Sequence, residues 1–338
     1  MNKPETLIIQ SDQPEKWQKI LSDLITDPKD LLDYLQLDEA QRPASLMAQT
    51  QFPMKVPMPF AAKMRKADWG DPLLKQIWPA TEEEIVDSRY VTDPLAEADS
   101  NPMSGLLHKY HGRVLLTAAP HCAVHCRYCF RRHFDYEENA PSRVLWQRCF
   151  DYIGADNSIE EVILSGGDPL ALADKQIGWL LDELESIHHI TTIRIHTRLP
   201  IVIPQRITNE LIEILSLRKV KIVMVIHCNH AQELCSDSRH ALNTLSSIGL
   251  ILMNQSVVLK DVNDNADCLV ELSRKLFSVS VLPYYLHLPD EVAGTAHFDV
   301  SRNRALNLIA QMQTQLPGYL VPKLVKEEPG QPSKTRIG

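Results

Sequence analysis

The chain lacks the features that mark a membrane-spanning or secreted protein. Nowhere in its 338 residues do eighteen apolar residues follow one another, which is about the length that a membrane-spanning helix needs. Its first fifteen residues hold no apolar segment followed by a cleavage-like site. Its seven cysteines do not form a pattern that would suit a disulfide framework. We therefore expect a cytoplasmic protein with no membrane partner.

An excess of positive charge is also missing. The chain has 35 Lys and Arg against 43 Asp and Glu, which gives a net charge of −8. Nucleic acids and anionic membrane surfaces attract basic proteins, so neither is expected to be the main partner. A hydrophobic content of 44% nevertheless allows a sizeable core, as in an ordinary globular protein.

The pattern of apolar residues changes along the chain. Residues 1–105 carry short helical patches that many prolines interrupt, as in the run FPMKVPMP at 52–59. From residue 113 onward, short β-rich runs alternate with helical patterns. Strands are predicted over 114–118, 161–164, 192–196, 221–226, 251–258 and 280–286, and helices over 143–153, 176–187, 209–217, 239–248 and 268–277.

Six βα units at roughly thirty-residue spacing predict a parallel sheet joined by right-handed crossovers. Six strands are too few for a closed eight-stranded barrel, so the expected α/β fold is a partial (β/α)6 barrel. A doubly wound open sheet is the alternative. We expect a mainly helical N-terminal region at 1–105, the barrel at 106–315 and a C-terminal segment at 316–338. Taken alone, that last segment is typical of a flexible polar tail.

The run CAVHCRYC at 122–129 is the strongest chemical signal in the sequence. Its cysteines, Cys122, Cys126 and Cys129, suit a cuboidal iron–sulfur cluster in which one iron has no protein ligand. A ferredoxin-type site would need a fourth cysteine in register, which the run lacks. A structural zinc site is the other alternative, with its fourth ligand taken from the neighbouring histidines His121, His125 and His133.

Polar residues recur where the predicted strands end. They are the turn SGGDP at 165–169 after the second strand, then Arg198, His227, Gln255 and Asp290 at or after the next four strands. Barrel enzymes build their active sites at this carboxyl end of the sheet. Any single member could be an ordinary core or turn residue, but their common position favours a functional site.

The sequence resembles the lysine 2,3-aminomutases, which are radical S-adenosylmethionine (SAM) enzymes that also use pyridoxal 5′-phosphate (PLP). The resemblance covers about residues 109–335. Its motifs are CAVHCRYCFRR at 122–132, SGGDP at 165–169, PIVIPQRIT at 200–208, NQS at 254–256, KDVND at 260–264 and SKT at 333–335. Within the family, the chain is most similar to the short form that makes (R)-β-lysine for elongation factor P.

The resemblance implies an isomerase of the intramolecular aminotransferase type, which converts L-α-lysine to β-lysine. It would use a [4Fe–4S] cluster, a 5′-deoxyadenosyl radical from SAM, and a PLP imine. Implied partners are L-lysine, a reductant such as flavodoxin or ferredoxin, and the elongation factor with its lysyl ligase. Another cationic substrate such as arginine is the alternative. A non-catalytic cluster protein, or a radical SAM enzyme of other chemistry, is disfavoured because the cysteines and the PLP lysine are both present.

The resemblance also gives roles to individual residues, with Cys122, Cys126 and Cys129 as cluster ligands and Lys334 as the PLP lysine. Tyr110 and Arg113 would hold the PLP phosphate, and Arg131 would bind the substrate carboxylate. The residues expected beside SAM are Ser165, Gly166, Gly167, Asp168, His227 and Gln255. The substrate ε-ammonium would be received by Asp290 and Glu327. Where this chain has Glu327 the family has Asp, and the extra methylene bears on substrate affinity or selectivity.

Overall fold

A computed structural model of the chain describes residues 16–97, 100–134 and 142–338. In these ranges the strands form one nine-stranded sheet in chain order. The strands are β1 (Leu106–Tyr110), β2 (Arg113–Ala119), β3 (Glu161–Gly166), β4 (Thr192–Thr197), β5 (Lys221–His227), β6 (Ile251–Val257), β7 (Val281–His287), β8 (Lys323–Lys326) and β9 (Thr335–Arg336).

Helices cover the outer face of the sheet and make up most of the N-terminal region. The N-terminal helices are α1 (Lys16–Ser22), α2 (Pro28–Leu35), α3 (Leu46–Gln51), α4 (Met58–Ala61) and α5 (Pro72–Lys75). The later helices are α6 (Arg143–Ala155), α7 (Asp174–Ser186), α8 (Leu199–Val202), α9 (Asn209–Ser216), α10 (Ser236–Ser247), α11 (Ala266–Phe277) and α12 (Arg302–Gln315). Within the described ranges no helix has the length and apolar character needed to cross a membrane.

Several helices begin at residues whose side chains satisfy the first free backbone amides. Ser142 accepts a hydrogen bond from Leu145 N at the start of α6, and Thr208 accepts one from Leu211 N at the start of α9. Asn265 caps α11 in the same way. Such caps stabilise a helix by about 1 kcal/mol each and set the residue at which it begins.

The sheet confirms the predicted α/β fold. Strands β2 to β8 are parallel and each lies beside its predecessor, while β1 and β9 are antiparallel at the two edges. A doubly wound sheet reverses its strand order at a switch point, which this sheet does not do. The six predicted strands correspond to β2–β7, and the structure adds a seventh parallel strand, β8.

The two edges of the sheet approach each other. Lys109 lies on β1 at one edge and Glu327 directly follows β8 at the other, yet Lys109 Nζ is 3.2 Å from Glu327 Oε1. A flat sheet of this many strands would hold its edges tens of ångströms apart, because neighbouring strands are about 4.8 Å apart. The sheet therefore curls into a partial barrel.

The concave face of the sheet is polar, and we call it the lumen. On β4, the buried residues Ile193 and Ile195 alternate with Arg194 and His196, which are only partly buried. Alternate residues of a strand point to opposite faces, so the apolar set packs under the helices and the polar set lines the lumen. The side chains that define the lumen are Arg194, His196, His227, Gln255, Tyr285 and His287.

The N-terminal helices share the core of the barrel. Leu31, Phe60 and Leu73 are each 0% exposed and belong to the same apolar cluster as Ile201 of α8. Burial of one such side chain contributes roughly 1.5–3 kcal/mol. The helices of this region are thereby held against the barrel, while the division of the chain at residue 105 stays a prediction.

The C-terminal segment is folded, contrary to what its composition suggests. Strand β8 pairs with β7, and the short strand β9 pairs back onto β8 through Val325 with Arg336 and Lys326 with Thr335. The sequence could not predict this pairing, because β9 has only two residues and so shows no alternation of apolar and polar side chains. The pairing brings Lys334, just before β9, to the mouth of the sheet.

Replacing Gly167 by Ala is expected to destabilise the protein. A Cβ at Gly167 would lie 2.3 Å from the carbonyl oxygen of His121, whose backbone has little freedom to move. Crowding of this kind typically costs about 1–3 kcal/mol. Urea unfolding monitored by circular dichroism measures the change in the free energy of unfolding.

Gly154→Ala is the matched control for this prediction. Gly154 lies inside α6, and a Cβ there would meet no atom within 4 Å. Because Ala favours helix by up to about 1 kcal/mol over Gly, this variant should be as stable as the parent or more so. Equal stability of the Gly167→Ala variant and the parent would contradict the close approach.

Candidate active site

The three cysteines of the run lie on the loop that follows β2, the first parallel strand. Their thiols are free, partly buried and close enough to one another to interact electrostatically. Burial raises the pKa of Cys122, and Asp168 and the two other thiols raise it further. Burial likewise raises the pKa of Cys129 to about 11. Three thiols gathered in this way are the donor set that an iron–sulfur cluster requires, since bound iron favours the thiolate form.

The zinc alternative finds no support in the described ranges. There, no three His, Cys, Asp or Glu side chains are arranged to hold a single metal ion. His125 Nδ1 donates to the carbonyl of Pro53 at 2.6 Å, and the imidazole stacks on Phe52. His133 Nε2 lies 3.1 Å from the carbonyl of Ala293. Neither histidine is presented to the thiols as a fourth ligand.

A buried ion-pair triad anchors the cysteine loop to the N-terminal region. Glu83 accepts hydrogen bonds from Arg127 Nε at 2.7 Å and from Arg132 Nη2 at 2.7 Å. The three side chains are at most 1% exposed. Loss of one partner from such a group leaves a buried charge uncompensated, which typically costs about 3–5 kcal/mol. The two arginines flank Cys129, so the triad fixes this end of the loop.

A second buried network reaches the thiol of Cys126. Arg198 Nη1 lies 2.6 Å from Cys126 Sγ and 2.9 Å from Tyr128 Oη. The other end of the guanidinium donates to Gln76 Oε1 at 2.8 Å and to Glu233 Oε2 at 3.0 Å. The guanidinium therefore places a fixed positive charge beside the sulfur of Cys126. Sequence reasoning missed Gln76 and Glu233 because they lie far along the chain from Arg198.

The carboxylate of Asp168 is held by hydrogen bonds within the protein, and its predicted place beside SAM stays a prediction. Its carboxylate accepts hydrogen bonds from Thr197 Oγ1 at 2.6 Å, and from the backbone amides of Leu170, Arg198 and Leu199 at 3.0, 2.7 and 3.1 Å. These four donors occupy both carboxylate oxygens. Asp168 therefore joins the turn after β3 to the start of α8.

His227 and Gln255 lie opposite each other on β5 and β6, facing the lumen. His227 Nε2 is 3.1 Å from Tyr128 Oη, and the two rings stack at a centroid distance of 5.8 Å. Burial, with the charge of Arg198, lowers the pKa of His227 to about 3, so the imidazole is neutral at working pH. His227 thus borders the cysteine loop, Gln255 lies beside His227 across the ladder, and both stay predicted SAM contacts.

Lys334 and the predicted phosphate-site residues lie at another part of the lumen. Lys334 Nζ forms an ion pair with Glu327, and the lysine side chain is 23% exposed. The guanidinium of Arg113 lies over the ring of Tyr110 at 4.7 Å. Burial raises the pKa of Tyr110, and the nearby carboxylate of Glu327 adds to the effect. The structure thus brings Lys334 and Tyr110 to one acid, with Arg113 beside Tyr110.

The two acids at this end differ in their state of ionisation. Burial alone would raise the pKa of Glu327, but Lys334 and Lys109 lower it to about 2. The pKa of Asp290 is raised to about 7, first by burial and then by the charge of Glu327. Glu327 is therefore ionised at neutral pH, while Asp290 is close to half protonated.

Arg131 is already paired with an acid. Its Nε and Nη2 donate to the two carboxylate oxygens of Glu97 at 2.8 and 2.7 Å, and its Nη1 lies 3.3 Å from Ser165 Oγ. A substrate carboxylate would have to share this guanidinium with Glu97. The sequence contained no signal for Glu97, which precedes the cysteine run by 25 residues in a segment of mixed pattern.

Two further histidines line the lumen between these groups. His196 on β4 and His287 on β7 each have a buried Nε2 with no hydrogen-bond partner in the described ranges. His196 Nδ1 lies 3.5 Å from Gln255 Nε2, and the charge of Lys334 acts on both imidazoles. Buried polar atoms are rarely left unsatisfied, so these atoms fit a lumen shaped for a polar ligand. The alternation in β4 and β7 is the signal that could have found them.

Curated relatives match nearly the whole chain, although no family model matches it. An L-lysine 2,3-aminomutase of Haemophilus influenzae is 46% identical over 332 residues, covering 98% of each chain. The Escherichia coli protein of that name is 47% identical over 324 residues, covering 96% of this chain and 94% of the relative. A Clostridium subterminale relative is 31% identical and covers 95% of this chain and 77% of its own.

A solved radical SAM methyltransferase from Sphaerobacter thermophilus matches with a TM-score of 0.42 and 15% identity, covering 65% of this chain and 68% of that one. The curated relatives, together with a curled parallel sheet and three thiols on the loop after its first parallel strand, define a radical SAM enzyme. The chain belongs to the L-lysine 2,3-aminomutase family, because relatives 46–47% identical cover almost its full length. SAM and an iron–sulfur cluster are the cofactors that this family implies.

Cys126→Ser is expected to abolish binding of the iron–sulfur cluster. A serine hydroxyl is a far poorer ligand for iron than a thiolate, so anaerobic reconstitution should yield little iron and little visible absorption. Cys268→Ser is the control, since Cys268 lies in α11 away from the loop. An unchanged spectrum in the Cys126→Ser protein would contradict the ligand assignment.

The affinity for a cationic substrate is expected to rise as pH rises through about 7. Asp290 is the group responsible, because losing its proton gives it the negative charge that attracts an ammonium group. The pH profile of kcat/KM for lysine, which reports free-enzyme pKa values, measures this transition. Asp290→Asn should remove the transition, and a profile unchanged by that substitution would contradict the assignment.

Proposed function

We propose that the protein converts L-lysine to β-lysine, with an iron–sulfur cluster, SAM and PLP as cofactors. The single observation that carries the proposal is the position of Lys334 on the same lumen as the cysteine loop, beside acids that suit a cationic substrate. The activity named for relatives 46–47% identical supports it.

The bound cofactors would together supply a radical able to break an unactivated C–H bond, which no side-chain acid or base can do. The chain's part is to hold and orient them. The thiolates come from Cys122, Cys126 and Cys129, and Arg198 places a positive charge beside the sulfur of Cys126. His227 borders the loop where SAM would bind, and Gln255 lies next to His227.

PLP would be held at the other part of the lumen. Lys334 supplies the amine for its aldehyde, and Tyr110 and Arg113 supply donors for its phosphate. The cation–π contact between Arg113 and Tyr110 orients both groups before the cofactor arrives.

Substrate selection would come from charges at two ends of the lumen. Arg131, beside Ser165, is the cation available to an α-carboxylate. Asp290 and Glu327 make the far end acidic, which favours a cationic side chain and disfavours glutamate. Lysine fits this pattern, and arginine is the second candidate because a guanidinium also suits carboxylates.

We further propose that the product is (R)-β-lysine, which a lysyl ligase would attach to elongation factor P. The resemblance to the short form of the family supports this role. The same proposal includes a cytoplasmic location and an electron donor such as flavodoxin or ferredoxin.

The test is an anaerobic assay of cluster-reconstituted protein with SAM, PLP, a strong reductant and L-lysine. Chiral chromatography with mass detection should find β-lysine of R configuration, without net loss of SAM. L-arginine is assayed in parallel. Cleavage of SAM with lysine unchanged would contradict the substrate, and β-arginine formation would favour the second candidate.

Lys334→Ala is expected to lower β-lysine formation by at least about a thousandfold, because it removes the amine that would hold the PLP aldehyde. The cluster spectrum should be unchanged, since Lys334 lies away from the cysteine loop. Lys323→Ala, an exposed lysine on β8, is the control and should keep full activity. β-Lysine formation by the Lys334→Ala protein near the parent rate would refute the assigned role.

A further inference from the structure

Arg198 lies between the cysteine loop and a group of buried polar side chains. It directly follows β4, at the carboxyl end of the sheet, and the residue is only 6% exposed. Its Nη1 is 2.6 Å from Cys126 Sγ and 2.9 Å from Tyr128 Oη. A guanidinium donates hydrogen bonds and cannot accept them, so an N–H group of Arg198 is directed at the sulfur.

The other end of this guanidinium is fixed by an acid and an amide. Nη2 donates to Glu233 Oε2 at 3.0 Å and to Gln76 Oε1 at 2.8 Å. Glu233 is itself held, because its Oε1 accepts hydrogen bonds from the backbone amides of Asn229 and His230, both at 3.0 Å. The guanidinium therefore has little freedom to turn away from Cys126.

The ion pair of Arg198 and Glu233 presents its positive end to the sulfur. Nη1 of the arginine contacts Cys126, whereas the acid binds the opposite nitrogen, Nη2. The two side chains are 6% and 0% exposed, so water screens their charges little. An arginine keeps its charge in proteins at any working pH. The sulfur of Cys126 is therefore exposed to a permanent positive charge.

Reduction of a cluster bound at this loop adds negative charge beside Arg198. One electron from a low-potential donor enters the cluster, and no bond breaks and no proton moves with it. Net charge and hydrogen bonds to the sulfurs are among the factors that set the reduction potential of such clusters. A cation that donates a hydrogen bond to a ligand sulfur stabilises the more negative, reduced form. It therefore raises the potential.

We propose that Arg198 raises the reduction potential of the iron–sulfur cluster through its hydrogen bond to Cys126, and that Glu233 limits the increase. This inference rests on the proposed function, which supplies the cluster, and extends it to the electron-transfer step. Arg198 acts through a ligand of the cluster, and its role requires a charge as well as a hydrogen bond. A purely structural role would require only that the loop keep its shape.

An anaerobic redox titration of the cluster-reconstituted protein measures the potential. Titanium(III) citrate reduces the protein stepwise without SAM, PLP or lysine, and electron paramagnetic resonance gives the fraction of reduced cluster. Arg198→Gln should lower the equilibrium constant for one-electron reduction about tenfold, as expected for loss of one hydrogen bond to a charged group. This change corresponds to a potential about 59 mV more negative. The iron and sulfide content should stay at the parent level.

Two further substitutions test whether the effect comes from charge. Glu233→Gln should raise the equilibrium constant for reduction by about threefold or more, because Arg198 then keeps its charge without the acid. Arg198→Lys retains the charge as an ammonium group and should stay within about threefold of the parent. Both Arg198→Gln and Glu233→Gln disturb the same buried network, so loosening of the loop would not shift the potential in opposite directions.

Arg218→Gln is the matched control for removal of a buried arginine. Arg218 pairs with Asp182 and Glu185, and its side chain is 10% exposed. It lies just before β5, at the amino end of the sheet, whereas the cysteine loop follows the carboxyl end of β2. Its loss should leave the potential of the cluster unchanged.

An Arg198→Gln protein with full iron content and the parent's potential would overturn the inference. Loss of iron with an unchanged potential in the remaining clusters would overturn it too, because Arg198 would then only hold the loop in shape. A shift of the same sign in the Glu233→Gln protein, or an equal shift in the Arg218→Gln protein, would also contradict it.

Should Arg198→Gln fail to fold, the double variant Arg198→Gln/Glu233→Gln leaves neither charge of the pair unpaired. Its potential should still be more negative than the parent's, because the arginine is nearer to the sulfur than the acid is. A parent potential in that variant would overturn the inference. Failure of the proposed function is seen separately, as absence of β-lysine in the assay of the parent, while a parent that binds no cluster would refute both.

Discussion

The position of the cysteine loop depends on one buried carboxylate, that of Glu83. It sits between Arg127 and Arg132 with almost no exposure to water, and it comes from the N-terminal region rather than from the barrel. Two guanidinium groups share one acid, so the triad keeps one net positive charge beside three thiols. That charge would partly offset the negative charge of bound thiolates. The N-terminal helices thus act on the site through electrostatics as well as through packing.

The active-site lumen is organised by the direction of its strands. Because β2 to β8 are parallel and in chain order, residues distant in sequence reach the same face. His227 meets Gln255 across one ladder, and Lys109 meets Glu327 across the gap between the sheet edges. The charged groups therefore fall into two sets at different parts of the lumen. The thiols and Arg198 lie at the cysteine loop, and the lysines and acids lie where PLP would bind.

The strands, the cysteine run and the common edge of the polar residues could be predicted from the sequence, because each leaves a local pattern of spacing. Partnerships between distant side chains could not. The position of Asp168 after β3 was predictable, but its hydrogen bonds to Thr197 and to backbone amides thirty residues away were not. The sequence contained no pattern that pointed to Glu97 or Glu233, because each comes close to its arginine partner only when the sheet curls. Strand β9 could not be predicted because its two residues are too few to show alternation of apolar and polar side chains.

The attachment of Lys334 has a consequence for how the protein opens. The lysine precedes a two-residue strand, whereas a central strand such as β4 pairs over four residues on one side and six on the other. Segments with few hydrogen bonds separate from the native structure at a much lower free energy than the core does. The segment that carries Lys334 can therefore separate while the barrel and the cysteine loop stay intact. The amide of Arg336 should accordingly exchange its hydrogen faster than global unfolding would allow. The rate of PLP loading would then depend on this local opening and not on unfolding of the barrel.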